Sequence, residues 1–191
     1  IRGVICGERS ASSITHEWQK VDDIRDHMLY FLENHDEQRI ASDFFVGNPW
    51  KGVPGMIVSA LLQQNPVMVY AGQEFGERGM DKEGFSGQDG RSTIFDYWTS
   101  DTVYKGFFNR DALTTDEKKL SLIYQGFLRF CNREKAVREG LTFDLMYVNH
   151  QSHQFNPHKQ FVFLRKADDE VLLVVANFDQ ERVQINVTIP V

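Results

Sequence analysis

The sequence predicts an α/β segment over residues 1–140 followed by a small all-β module over residues 141–191. Three observations lead there. Two short apolar runs without polar alternation, residues 27–32 (His-Met-Leu-Tyr-Phe-Leu) and 67–70 (Val-Met-Val-Tyr), each stop abruptly in a polar, acidic cluster. A stretch with helical spacing lies between them. Beyond residue 141 the chain changes to short β-branched and alternating runs. An unbroken apolar run reads as a strand buried on both faces, the habit of parallel sheets. The order strand, helix, strand makes a β-α-β unit, whose crossover implies parallel strands.

The elements follow in order. Residues 1–13 carry no clear period. Ser12, Ser13, Ile14 and Thr15 suit the start of a helix running through Trp18, Val21 and Ile24. After the first apolar run, residues 48–55 (Asn-Pro-Trp-Lys-Gly-Val-Pro-Gly) form a loop by composition. Pro54 suits a first helical turn, Met56, Ile57, Ala60 and Leu61 then share a face, and Asn65-Pro66 stops the helix. The second apolar run leads into a long glycine-rich loop from Gly72 to about Gly90, and loops of that length in compact domains tend to be functional. Thr114, Thr115, Asp116 and Glu117 read as a helix start with acids in the first turn. Leu120, Ile123, Tyr124, Phe127 and Cys131 mark its buried face, and Gly140 is its stop. Residues 161–164, 171–175 and 183–189 read as strands, with a hairpin turn over 166–170; the last alternates strictly, as a half-exposed antiparallel strand should.

The polar cluster after the first run is the most informative stretch. Glu33-Asn34-His35-Asp36-Glu37-Gln38-Arg39 packs three carboxylates, two amides, an imidazole and a guanidinium into seven residues beside a buried strand. Such groups are expensive to desolvate, so a purely structural segment has little reason to concentrate them there. The C-terminal ends of barrel strands are where α/β barrels carry their chemistry.

Composition narrows the function classes. The 191 residues carry a net charge of -6, with no basic stripe, which argues against nucleic acid as the main partner. No apolar run approaches the roughly 20 residues of a membrane helix. Cys6 and Cys131 read as two separate thiols rather than a disulfide framework. The chain starts at Ile1, which suggests a piece of a longer protein, so compartment is not legible.

Phe31-Leu32-Glu33-Asn34-His35-Asp36 resembles the motif closing the seventh barrel strand in the α-amylase family of glycoside hydrolases (family 13). Pro66-Val67-Met68-Val69-Tyr70-Ala71-Gly72-Gln73-Glu74 resembles the eighth strand, residues 122–140 the last barrel helix, and the β module the start of the C-terminal β-sandwich. The order and spacing agree from about residue 28 onward. The resemblance implies a partial (β/α)8 (TIM) barrel followed by part of an antiparallel β-sandwich. It also implies an enzyme acting with retention on α-glucosidic bonds of starch-like glucans and maltooligosaccharides. Retaining glycosidases use a nucleophile and an acid/base carboxyl about 5 Å apart around an oxocarbenium-like transition state. In the family a third carboxylate, on strand seven, binds hydroxyls of the sugar being cleaved, and Asp36 matches it. His35 matches a histidine on the same sugar. Asn34 and Arg39 are expected to support the cluster and the substrate, with Arg39 favouring ionised Asp36; Arg91 in the loop after strand eight is a further expected substrate contact. No metal or cofactor is expected in this chain, although calcium occurs in some family members. Export or a periplasmic location would suit a glucan-degrading enzyme.

One departure limits this reading. Nothing here resembles the strand-four and strand-five motifs that carry the nucleophile and acid/base, and about 27 residues precede the seventh strand. The missing N-terminal part of the barrel is therefore expected elsewhere, and this chain alone is expected to be inactive. The alternative is a glycan-binding remnant without turnover. Bland readings stand beside the sharp ones: Asp36 as a helix cap or partner of Arg39, His35 as a structural histidine, Glu33 as a loop-holding acid and Glu74 as a structural acid at a strand end. Trp50, Phe95, Tyr97 and Trp98 read as core rather than sugar platforms. Gly84-Phe85-Ser86-Gly87-Gln88 lacks the second glycine of a serine-hydrolase elbow. His150, His153 and His158 have no zinc spacing and read as a solvated loop. Asp81, Glu83 and Asp89 lack calcium-loop spacing.

Overall fold

The computed structural model describes residues 1–80, 89–92 and 100–190. Asp81, Glu83, residues 84–88, Phe95, Tyr97 and Trp98, singled out from sequence, lie outside the described residues. The elements are α1 (Arg2–Ile5), α2 (Ser13–Lys20), β1 (Tyr30–Phe31), α3 (Gly52–Leu61), β2 (Val67–Met68), α4 (Asp101–Phe108), α5 (Thr115–Arg133), α6 (Lys135–Arg138), β3 (Leu141–Asp144), α7 (Met146–Asn149), β4 (Gln160–Ala167) and β5 (Glu170–Asn177). β1 and β2 are hydrogen-bonded neighbours in one small sheet, and β3, β4 and β5 form a second, in that order. The architecture is thus mixed helix and strand with a small antiparallel sheet. Two compact units interleave along the chain: one comprises Ile1–Tyr30, Pro54–Val67 and the chain from Phe130 onward, the other Phe31–Val53 and Met68–Arg129.

The first unit centres on the antiparallel sheet. β4 pairs with β5 over its whole length and with β3 over Phe163–Lys166, and Ala167 opposite Glu170 closes a two-residue hairpin turn in which Asp168 takes φ +52°. This is the hairpin expected from the sequence. Phe161, Phe163, Arg165, Val174 and Ala176 lie on the buried face. The opposite face carries Leu141, Phe143, Val171, Leu173 and Val175, all exposed. β3 was not foreseen. The alternating residues 183–189 form no strand. Their backbone is instead held by side chains and turns: Thr188 N–H donates to Asn149 Oδ1 (2.7 Å), Asn149 Nδ2 donates to Thr188 O (2.9 Å), and Asn186 N–H donates to Gln154 O (3.3 Å). Alternation marks a segment that is fit for a strand; pairing needs a free edge in register.

Arg165 organises this unit. Its side chain, 1% exposed, donates from Nε to Ala136 O (3.1 Å), from Nη1 to Leu62 O (3.2 Å) and Thr142 Oγ1 (2.7 Å), and from Nη2 to Val137 O (2.8 Å). These carbonyls lie in the final turn of α6 and just past the end of α3, where helices leave acceptors open and carry partial negative charge. Burial pulls the Arg165 pKa down to about 10, so it stays charged at neutral pH.

The second unit is built on Leu32, Ile40, Phe75, Val103, Leu120 and Tyr124. α5 opens with a capping box: Glu117 N–H donates to Thr114 Oγ1 (3.3 Å) while Glu117 Oε2 accepts from Thr114 N–H (2.6 Å). This helix start was legible in the sequence. α4 approaches Phe75 through Gly106, where a Cβ would meet the Phe75 ring at 2.2 Å.

The expected buried strands are the main correction. β1 and β2 span two residues each, and Leu29 and Phe31 are 46% and 40% exposed while Leu32 is 1%. Burial on both faces needs a packed layer above and below the strand, and Leu29 and Phe31 lack that cover. Likewise Ile123, assigned to the buried face of α5, is exposed, and the helical stretch that Gly140 was expected to end breaks into α5 and α6.

Replacing Arg165 with Met takes a buried donor from Leu62 O, Ala136 O and Val137 O, of which Leu62 O keeps Thr142 Oγ1 and Ala136 O keeps Gly140 N–H. We expect a loss of roughly 2–4 kcal/mol, read as a lower urea midpoint, with Arg165→Lys falling between the two.

Candidate functional site

The polar cluster between β1 and α3 divides into buried and exposed residues. Glu33 and Arg39 are 2% and 1% exposed. They form an ion pair, Arg39 Nη1 to Glu33 Oε2 at 2.9 Å, while Glu33 Oε1 accepts from Ile40 N–H at 2.7 Å. Glu33, read as a loop-holding acid, does hold the loop. Arg39 Nε donates to Ser92 Oγ (2.7 Å), Nη2 to Ala71 O (2.8 Å), and its guanidinium lies 4.3 Å from the centre of the Tyr70 ring. Its backbone N–H donates to Gly90 O (2.7 Å).

The residues bracketed by that pair face solvent. Asn34 Oδ1 accepts from the N–H groups of Asp36 and Glu37, each at 2.8 Å. This is the local turn that asparagine favours. It displays His35 and Asp36 with side chains 50% and 77% exposed and His35 Nε2 3.4 Å from Asp36 Oδ2. An exposed contact of that length contributes little stability. Its worth is chemical: two carboxylate oxygens and an imidazole stand side by side, ready to accept from and donate to hydroxyls.

Of the expected site residues, Asn34, His35 and Asp36 are therefore together on one turn. Arg39 departs from the expected set of substrate contacts. Its guanidinium is enclosed and engaged on Nε, Nη1 and Nη2, and its ion partner is Glu33 rather than Asp36. Arg91 is 43% exposed at its side chain and holds Asp89 with Nη2 (2.7 Å) and Nε (3.0 Å), while Asp89 Oδ1 accepts from Arg91 N–H (3.0 Å). The Arg91 guanidinium holds the Asp89 carboxyl below the usual aspartate range. Trp50, expected in the core, is 37% exposed. His150, His153 and His158 are exposed, as a solvated loop requires. Among the described residues no three His, Cys, Asp or Glu side chains gather as a metal site, and no helix is long and apolar enough to cross a membrane.

Sequence reasoning missed Ser92 and Tyr70 as partners of Arg39, since contacts 53 and 31 positions away leave no local signal. It also missed Glu77, which is buried, accepts from Gly79 N–H (2.8 Å) and pairs with the Ser100 hydroxyl. The glycine loop has a local reason. Gly79 sits at φ +62°, and a Cβ there would meet Gly90 O at 2.8 Å and Arg39 Cγ at 3.1 Å. Glu74 accepts from Gly72 N–H at 3.1 Å. Burial pushes its carboxyl pKa up; hydrogen bonds and the Arg39 charge oppose this, and the Glu33 charge adds to it.

A noncanonic maltogenic α-amylase, AmyB, from Thermotoga neapolitana matches 93% of this chain over 35% of its own, with a TM-score of 0.54 and 17% identity. An isomaltulose synthase variant from Erwinia rhapontici NX5, solved with D-glucose, matches 90% over 38% of its own, with a TM-score of 0.58 and 18% identity. A trehalulose synthase MutB variant matches 94% over 42%, with a TM-score of 0.56 and 17% identity. The chain has the fold of one stretch of these enzymes. It spans well under half the length of each. No protein-family model and no curated protein matches the sequence.

Glu74 supplies a pH test. A carboxyl whose pKa is raised by folding favours the folded state most below its unfolded value, near 4.3, and that contribution is lost as pH rises through the folded value. Glu74→Gln should therefore be more stable than the parent at neutral pH, with the gain shrinking towards pH 4. Thermal melts across that range check it; a gain independent of pH would assign the effect to packing.

Proposed function

We propose that this chain is the end of a (β/α)8 barrel, residues 1–140, and the start of a C-terminal β-sandwich, residues 141–191, of an α-amylase-like (family 13) glycoside hydrolase. The parent protein hydrolyses or transfers α-linked glucosyl groups with retention. The observation that carries this reading is the exposed His35–Asp36 pair displayed by the Asn34 turn directly after β1. The fold that surrounds it is shared with a maltogenic α-amylase and with an isomaltulose synthase solved with D-glucose.

Asp36 accepts from two hydroxyls of the glucosyl ring. As the ring flattens and gains positive charge, those bonds strengthen, so the carboxylate favours the transition state over bound substrate. His35 donates to a neighbouring hydroxyl, and Arg91 is a further contact of the sugar. The nucleophile and the acid/base come from outside these 191 residues, so turnover belongs to the parent protein.

A second reading rests on Phe143 and Tyr147, which are 46% and 72% exposed. Exposed aromatic faces suit the apolar side of a pyranose, and this reading assigns the chain glycan affinity without catalysis.

In the parent protein, Asp36→Asn should lower kcat on maltooligosaccharides or sucrose by on the order of a hundredfold or more with an unchanged melting temperature. A variant that keeps most of its activity removes Asp36 from the mechanism. Titration calorimetry of maltooligosaccharides against this chain separates the second reading, which requires binding abolished by Tyr147→Ala.

A further inference from the structure

Arg39 bonds to the two residues that flank Arg91. Its backbone N–H donates to Gly90 O at 2.7 Å, and its Nε donates to Ser92 Oγ at 2.7 Å. Arg91 is therefore held at both shoulders by one residue, while its own side chain is left pointing to partly exposed Asp89. The same guanidinium closes the other polar loop. Through Glu33 it joins the two ends of residues 33–39, because Glu33 bonds both Arg39 and the N–H of Ile40. Its remaining bond, to Ala71 O, lies just past β2. So three segments distant in sequence meet on a single buried cation.

We infer that Arg39 is the positioning residue of this site, fixing the loop of Asn34, His35 and Asp36 and the loop of Arg91 at one spacing. The inference rests on the sugar-binding reading above for what that spacing serves, a glucosyl ring held between the two loops.

The chemistry favours arginine for the task. A planar guanidinium offers donors in fixed directions, so its bonds specify orientation as well as distance. A lysine ammonium at the same place could keep the bond to Glu33 but could not also span Ser92 and Ala71. Enclosure matters too: with Glu33 and Arg39 nearly inaccessible, water does not compete for these bonds. Two neighbouring glycines preserve the close approach. Gly79 leaves room for Arg39 Cγ and for Gly90 O, and Gly90, at φ +79°, would bring a Cβ within 2.2 Å of Ser42 Oγ.

The test uses the parent protein and two variants, Ser92→Ala and Arg39→Lys, read by hydrogen exchange and by steady-state kinetics on sucrose and maltotriose. Ser92→Ala removes one shoulder of Arg91 and spares the ion pair. Exchange in segment 89–92 should rise about threefold to tenfold, the equivalent of one hydrogen bond, with segment 32–40 and the hairpin of β4 and β5 unchanged. Arg39→Lys should raise exchange in both 32–40 and 89–92, again sparing the hairpin. In both variants kcat should fall by a larger factor than KM rises, because misplacement is felt most at the transition state. Unchanged exchange at 89–92 in Ser92→Ala overturns the inference, as does an even rise across the hairpin in Arg39→Lys. Should Arg39→Lys fail to fold, Ser92→Ala decides alone. If the parent protein acts on no α-glucoside, the functional reading falls, while exchange still decides whether Arg39 couples the loops.

Discussion

The buried pair of Glu33 and Arg39 is the constraint on which the polar end of the second unit depends. Removing two charges from water costs several kcal/mol per ion, and attraction between them offsets this only when their remaining bonds are filled. Here they are. Arg39 bonds Glu33, Ser92 and Ala71 and lies against Tyr70, and Glu33 takes the N–H of Ile40 as well. Such a pair adds little net stability over an apolar one of the same shape, yet taking away either partner leaves the other stranded. What it supplies is a single geometry, reached only when residues 33, 39, 71 and 92 arrive together.

Polar groups are divided by task. The buried ones, Glu33 and Arg39, hold backbone; the exposed ones, His35 and Asp36, touch each other only loosely at 3.4 Å. The Asn34 turn converts the first set into a platform for the second. The first unit uses the same device with different partners. Among the described residues Arg165 has no carboxylate bonded to it; it meets the carbonyls of Leu62, Ala136 and Val137, whose dipoles do the work of a counter-ion. In both units a guanidinium joins segments that the sequence keeps far apart.

What was legible in the sequence was local. The helix start at Thr114–Glu117, the hairpin turn at Asp168 and the loop-holding role of Glu33 each follow from residues within a few positions of one another. What was not legible depended on neighbours. Residues 27–32 read as a fully buried strand because apolar runs usually are, but burial is a property of what packs on both faces, and Leu29 and Phe31 stay open. Residues 183–189 have strand composition and no strand partner among the described residues, while Leu141–Asp144, with weaker alternation, pairs with β4. Arg39 reads as a partner of nearby Asp36 and of substrate; Ser92, which helps draw it inward, is 53 positions away.

Fold likeness at 17–18% identity speaks for the path of the backbone and leaves the chemistry to individual residues. That places the weight on tolerance. A carboxylate that favours a flattened ring must meet particular hydroxyls, and a displacement of about 1 Å can cost a hundredfold in rate. An exposed loop of residues 34–38 carried only by its own turn would wander by more than that. Tying its ends with one ion pair, and tying that pair to the next loop through Gly90 and Ser92, moves the tolerance from the flexible residues to the rigid ones. The same logic explains why the anchoring residues had to be the buried members of the cluster. A bond that fixes position must not be open to water or to the ligand, whereas a bond that recognises a sugar must be open to both.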